Sequence, residues 1–149
     1  MLNAYELDLS TKFKGTVTEL QVQTYLLSKG YNISVPVCEE SKYDLILDTG
    51  KQLLKIQIKT ARLETNNQNS ITFNCRSTCC NTRENHRRGY SKEEIDYFAT
   101  YWNDQVYLVP VGEVSSQKTL HFNIKDKSKK RIDWSYLEDY EVEVILNSL

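Results

Sequence analysis

Apolar and polar positions along this chain alternate between helical and strand periods, the signature of an α/β domain. Residues 16–29 read as a helix, with Thr16 as N-cap and Gly30 as the stop. A run of strands follows: Asn32 to Val37, Tyr43 to Asp48, then Gln52 to Thr60. Asp48-Thr49-Gly50-Lys51 makes the tight turn joining the last two. The polar stretch Glu64 to Asn69 predicts a loop before a fourth strand, Ser70 to Asn74. Residues 75–90 show no period and many polar side chains, which predicts a long loop, a feature usually functional or disordered in compact domains. Ser91 and Glu94 form the S-x-x-E pattern of a capping box. Ile95, Phe98, Ala99 and Trp102 then recur at helical spacing, predicting a second helix with these residues on the core. Gln105 to Val111 reads as a buried strand, with Thr119 to Ile124 expected to pair beside it. Asp133 to Tyr140 suits a short helix, and Glu141 to Leu146 either a strand or a helical continuation.

The strand at 52–60 carries the chemistry. Alternation puts Leu54, Ile56 and Ile58 on one face and Lys55, Gln57 and Lys59 on the other. Asp44 opens the preceding strand, so its carboxylate can lie near Gln57 and Lys59, and Glu19 on the first helix can cover the same sheet end. Oxygen ligands for Mg²⁺ and a lysine that orients a water nucleophile are what phosphodiester hydrolysis needs, because cations offset the charge building on the phosphate oxygens. Each residue also has a plain structural explanation. Thr16-x-x-Glu19 is itself a capping-box pattern, a lysine on an exposed strand face is ordinarily solvated, and an Asp before an apolar run is often a strand-edge residue. Their joint order and spacing are harder to reach by accident than any one of them.

Residues 14–62 resemble the PD-(D/E)XK nuclease superfamily, whose core is a helix followed by a β-hairpin carrying Asp and (Asp/Glu)-x-Lys. More narrowly, K-G-T-V-T-E-L-Q-V-Q-T-Y-L, Y-D-L-I-L-D and K-I-Q-I-K-T-A look like the small bacterial group I intron homing endonucleases built on the restriction-enzyme fold. The later S-K-E-E-I-D-Y-F-A-T-Y and V-Y-L-V-P-V look like the same subgroup. The resemblance implies an α/β (α+β) restriction-endonuclease-like core, a mixed β-sheet flanked by helices. It implies sequence-specific double-strand cleavage of DNA with Mg²⁺ as cofactor, Mn²⁺ or Ca²⁺ able to substitute structurally, and no organic cofactor. Asp44 becomes the central metal ligand, Glu19 a second carboxylate acting directly or through a water, and Lys59 the catalytic lysine; Gln57 and Ile58 complete the metal set. Two positions depart from the pattern. Tyr43 replaces the usual Pro, and Gln57 replaces an Asp or Glu, leaving the site one negative charge poorer and a tightly held second metal in doubt. The neutral Gln57 also keeps open a non-catalytic DNA-binding module, beside a Holliday-junction resolvase or restriction-like nuclease on the same core.

Composition bounds these readings. The 149 residues (17.4 kDa) suit one domain, with 40% hydrophobic and 26% charged residues, and no apolar run is long enough for a membrane span. Glu6 and Asp8 make the N-terminus unlike a signal peptide, so four cysteines suggest reduced thiols in a cytosol, and the resemblance implies a bacterial one. Cys38 is expected in the core. Cys75, Cys79, Cys80 and His86 do not match a standard zinc-ligand spacing, which makes zinc an unfavoured reading.

A formal charge of −1 seems to speak against a nucleic-acid binder, but the charge is unevenly spread. Residues 1–59 are neutral, residues 60–92 carry +4 and residues 93–149 carry −5. The middle block is therefore expected to be a DNA-reading hairpin or loop insertion within the domain. A two-stranded ribbon at 60–76 would enter the major groove, and Arg62, Arg76, Arg83, His86, Arg87, Arg88 and Lys92 would contact DNA, unless they simply form a solvated polar loop. The basic run Lys125 to Arg131 is either a further phosphate contact or a charged turn. The acidic tail, with Trp134, Tyr136, Leu137 and Val142 to Leu146, is expected at a subunit contact. Cutting two strands takes two sites, so a homo-oligomer on a pseudo-palindromic duplex is expected; a dimer is the minimum and the resemblance favours a tetramer.

Overall fold

The structure is a computed structural model, and residues 2–66, 69–81, 84–123 and 127–149 are described. Its long helix, α1 (Thr11–Ser28), begins five residues before the expected start. Ser10 is the N-cap, its hydroxyl accepting from the Phe13 N–H at 3.4 Å, whereas Thr16 lies inside the helix with its hydroxyl donating to the Lys12 carbonyl at 3.2 Å. Gly15 hides this start, because a glycine in a helix interior costs about 1 kcal/mol and reads as a boundary. Gly30, at φ +85°, ends the helix in the left-handed region, and the Tyr31 N–H closes back on the Leu26 carbonyl.

Five strands form the main sheet in the order β1 (Asn32–Ser34), β2 (Leu45–Asp48), β3 (Leu53–Ile58), β8 (Tyr97–Trp102), β9 (Gln105–Pro110). The β3–β8 pair is parallel and the others antiparallel, which makes the sheet mixed. β1 stops at Ser34 because Pro36 has no N–H and restrains Val35. Val35, Val37 and Cys38 are consequently exposed, so Cys38 is not the core residue expected of it. Leu54, Ile56 and Ile58 are buried toward α1, with Val22, Leu26, Leu45 and Leu47.

The expected helix after Ser91 is absent. Ser91 and Glu94 close a single turn, and Tyr97–Trp102 is a strand. Ile95, Phe98, Ala99 and Trp102 mimic helical spacing, but Thr100 and Tyr101 between them are buried too. A parallel strand covered on both faces reads as a continuous apolar run.

A second sheet runs β10 (Gln117–His121), β5 (Ser70–Asn74), β4 (Arg62–Leu63). β10 pairs with β5 and not beside β9, whose outer edge is bridged by Glu141 at Tyr107. Ile71, Phe73 and Leu120 pack against Phe98, Trp102 and Val109 of the main sheet, so the main sheet is covered by α1 on one face and by the second sheet on the other. The stretch 75–90 is not one long loop either. It holds a hairpin of β6 (Ser77–Asn81) and β7 (Glu84–Arg88), strands without the apolar alternation that would announce them. At the C-terminus, Leu137–Tyr140 is a 3₁₀ turn and α2 (Val142–Asn147) a short helix. Tyr136, Leu137 and Val142 are buried within their own chain, whereas Trp134, stacked on His121 at 3.9 Å, is half-buried and Val144 is exposed.

Candidate active site

The site begins where β2 and β3 meet. The Asp44 N–H donates to the Ile56 carbonyl at 2.8 Å, and the Asp44 carboxylate accepts from the Ile58 N–H at 2.6 Å. The side chain thereby extends the ladder one step past Leu45↔Ile56 and is held rigidly by a charge-assisted bond. From α1, the hydroxyls of Thr18 and Thr60 share a hydrogen bond at 2.8 Å, tying the helix to the end of β3. The next helical residue, Glu19, sits within electrostatic reach of Asp44.

Both carboxyls are driven above their usual range. Burial raises Glu19, and the Asp44 charge raises it further. Burial also raises Asp44, outweighing the Ile58 N–H and the Lys59 ammonium, which pull the other way. Glu19 and Asp44 open into a cleft of about 270 Å³ shared with Ser41, Tyr43, Cys38 and Glu39. Two negative groups that disfavour each other's ionisation are suited to accept a cation.

Gln57 is half-buried, one residue before Ile58 and level with Phe98 of β8. Lys59 is held by its backbone to Ala99, while its ammonium donates to the Arg76 carbonyl at 3.2 Å and the Tyr90 hydroxyl at 3.5 Å. Lys55, on the same face, is committed elsewhere: its N–H donates to the Asp96 carboxylate at 2.7 Å and its ammonium to the Glu93 carbonyl.

Among the described residues no three His, Cys, Asp or Glu side chains form a ready-made metal cluster. Of the oxygen donors expected from the sequence, the Glu19 and Asp44 carboxylates line this cleft together, whereas the Gln57 amide and the Ile58 carbonyl are not among its lining groups. Carboxylate oxygens suit a hard divalent cation such as Mg²⁺ or Ca²⁺. Cys75 is buried, its thiol pushed up to about 12 chiefly by burial, which disfavours a thiolate ligand there. Cys79 lies opposite His86 in the β6–β7 register.

The basic residues of 60–92 do not share one environment. Arg62, on β4 opposite Thr72, and Arg76 are exposed, and the Arg76 N–H is fixed by the Asn74 side chain at 2.9 Å. Arg88 pairs with Glu94 at 2.6 Å. Lys92 leaves the group. It packs over Gly112, where a Cβ would come within 2.9 Å of its side chain, and lines a cleft with Gln52 and Asp96, separate from the one holding Asp44. Arg83 lies outside the described residues, and for His86 and Arg87 only the backbone, in β7, is described. In the later basic run, Lys125 lies outside the described residues, Lys130 pairs with Glu138, and Arg131 stacks on Trp134 at 4.6 Å. Sequence reasoning missed Tyr90, whose one visible signal is an aromatic two residues after the Arg87-Arg88 pair, beyond Gly89.

Residues 9–143 match the family described as PD-(D/E)XK endonuclease. In fold the chain is similar to the solved structure of a bacterial homing endonuclease, I-Ssp6803I, with a TM-score of 0.72 over 93% of each chain at 24% identity. No curated protein sequence matches it. With the family's span covering both the Asp44 hairpin and the helix that carries Glu19, the chain belongs to the PD-(D/E)XK endonuclease family, on a restriction-endonuclease-like α+β fold.

Proposed function

We propose that this protein is a Mg²⁺-dependent, sequence-specific DNA endonuclease of homing type, hydrolysing phosphodiester bonds in both strands. The observation that carries the reading is the Glu19–Asp44 pair: two partly buried carboxyls, each raised in pKa, beside a fixed lysine at one sheet end. The plain alternative for Glu19 no longer applies, because Thr16 lies inside α1 and caps nothing.

Asp44, Glu19, the Gln57 amide oxygen and the Ile58 carbonyl would hold the cation. Bound there, Mg²⁺ supplies Lewis acidity toward the phosphate and lowers the pKa of a coordinated water. The Ile58 N–H keeps the Asp44 carboxylate aimed into the cleft. Lys59 offsets negative charge on a non-bridging phosphate oxygen as water attacks phosphorus and the alkoxide departs. Arg62, Arg76 and Arg88 supply phosphate contacts and base readout on the side reached by β4 and the β6–β7 hairpin. Exposed Phe13, Leu20 and Leu27 recur every seven residues along α1, an apolar stripe suited to a homo-oligomer contact.

The test is a cleavage selection on a plasmid library with randomised inserts, run with Mg²⁺ and with chelator, and read by sequencing the new ends. Discrete ends within one recurrent motif, lost with chelator and in Asp44→Ala, are expected. DNA binding without cleavage by the unaltered protein would favour the non-catalytic module. Cleavage governed by branched-junction shape and not by sequence would favour a resolvase.

A further inference from the structure

The Lys59 ammonium is held by both legs of the β6–β7 hairpin. The Arg76 carbonyl, which accepts from Nζ at 3.2 Å, belongs to the residue immediately before β6. Tyr90, whose ring centroid lies 5.2 Å from Nζ, stands two residues after β7. The legs are joined at their base by the Ser77↔Arg88 pair. Each contact is itself anchored: the Asn74 side chain fixes the Arg76 N–H, and the Tyr90 ring meets Phe98 of β8 edge-on at 5.4 Å and 87°.

We infer that Tyr90 is a positioning residue for the catalytic lysine, and that through it the hairpin base sets where the Lys59 ammonium points. The inference rests on the reading of Lys59 as catalytic but concerns a residue that this reading does not include. A lysine on a four-carbon stem has many rotamers, and pinning the ammonium between a carbonyl and the hydroxyl end of a tyrosine ring removes most of them. At 3.5 Å the tyrosine hydroxyl is nearer to Nζ than the ring centroid at 5.2 Å, so the ammonium sits toward the hydroxyl end of the ring, held by both. The arrangement also gives a route from recognition to chemistry: a shift of the hairpin on its duplex moves both contacts to the lysine together.

The experiment compares Tyr90→Phe and Tyr90→Leu in two readouts. The first is the chemical shift of the Lys59 ε-methylene protons, with Lys59→Ala used to assign them. A tyrosine ring this close perturbs their shift, so the perturbation persists in Tyr90→Phe and collapses in Tyr90→Leu. The second is single-turnover cleavage of a duplex recovered from the selection. Tyr90→Leu should be slower by about 10–100-fold at unchanged DNA affinity, the scale of a misplaced catalytic group. Tyr90→Phe should fall between the parent and Tyr90→Leu, because it keeps the ring and loses the hydroxyl. An unchanged methylene shift in Tyr90→Leu overturns the inference, as does full cleavage rate once that shift is lost. Parent-like cleavage by Lys59→Ala would instead sink the catalytic reading of the lysine, leaving the shift to judge the clamp alone. If Tyr90→Leu does not fold, Tyr90→Met serves the same comparison.

Discussion

Two acidic sites along α1, one at its C-terminal end and one at its middle, are built from similar side chains and end in opposite states. At one end Glu143 accepts from the Tyr25 hydroxyl at 2.7 Å and from the Gln105 amide at 2.9 Å, with the Lys29 ammonium 3.6 Å away. Burial alone would raise its pKa, but Tyr25, its own N–H, Gln105 and Lys29 outweigh that and hold it below the usual value. At the middle Glu19 and Asp44 are left above theirs, each chiefly by burial. The first carboxylate has its charge answered by the protein and fastens α2 to α1. The second pair has a charge the fold leaves in excess, which is how a cation or a polyanion held through one becomes a binding partner.

The sharpest way to break this contrast is chemical. Asp44→Ala and Lys59→Ala should each slow cleavage by at least about 10²–10³-fold, the loss expected for one preorganised electrostatic group, while Glu143→Gln should cleave normally. Parent-like single-turnover rates in Asp44→Ala would erase the distinction.

Metal gives the next effect. At neutral pH, Mg²⁺ at a hundred times its Kd should stabilise the protein by about 2.7 kcal/mol in thermal melts, with little gain in Asp44→Asn. The acid limb of the cleavage rate should also lie above the ordinary carboxylate range, because Glu19 and Asp44 must lose protons that burial helps them keep.

Stability should then move in opposite directions. The raised pair favours the protonated fold, so its contribution is present below ordinary carboxyl pKa values and is lost as pH rises through the folded ones. Glu143 contributes above its ordinary value and loses that as pH falls through its lowered one. Asp44→Asn without metal at neutral pH should therefore raise Tm. Glu143→Gln should lower it by less, since the group is partly solvated. Same-sign shifts in the two variants would contradict the comparison.

The smallest effect concerns DNA. Arg62→Ala and Arg88→Ala should each reduce the slope of log affinity against log salt by about 1, and Lys92→Ala should leave it unchanged. A reduced slope for Lys92→Ala would return that residue to the DNA face.

How legible all this was depended on local pattern. The alternation of Leu54, Ile56 and Ile58 was readable because one face of β3 is buried toward α1, and the Asp48–Lys51 turn because Gly50 takes φ +81°. The order Glu19, Asp44, Gln57, Lys59 was readable because α1 and the β2–β3 hairpin are adjacent in sequence. β8 misled because burial on both faces erases a period of two. β6 and β7 were missed because their pairing rests on the backbone ladder, which leaves no apolar signature. Tyr90 was out of reach for another reason: its contact with Lys59 spans thirty-one positions and follows no spacing rule.

The parallel pairing of β3 with β8 has a further consequence. Parallel neighbours cannot be joined by a tight turn, so the chain must wander from Ile58 to Tyr97 before the sheet closes, and the β6–β7 hairpin lies on that excursion. The entropy of closing such an excursion grows only logarithmically, about 0.6 kcal/mol for each doubling of its length. Residues can therefore be added to or removed from the hairpin tip at little thermodynamic cost, while the Asp44 hairpin, closed by its own short turn, is untouched. The topology separates the part of the molecule whose length can change from the part that must stay fixed.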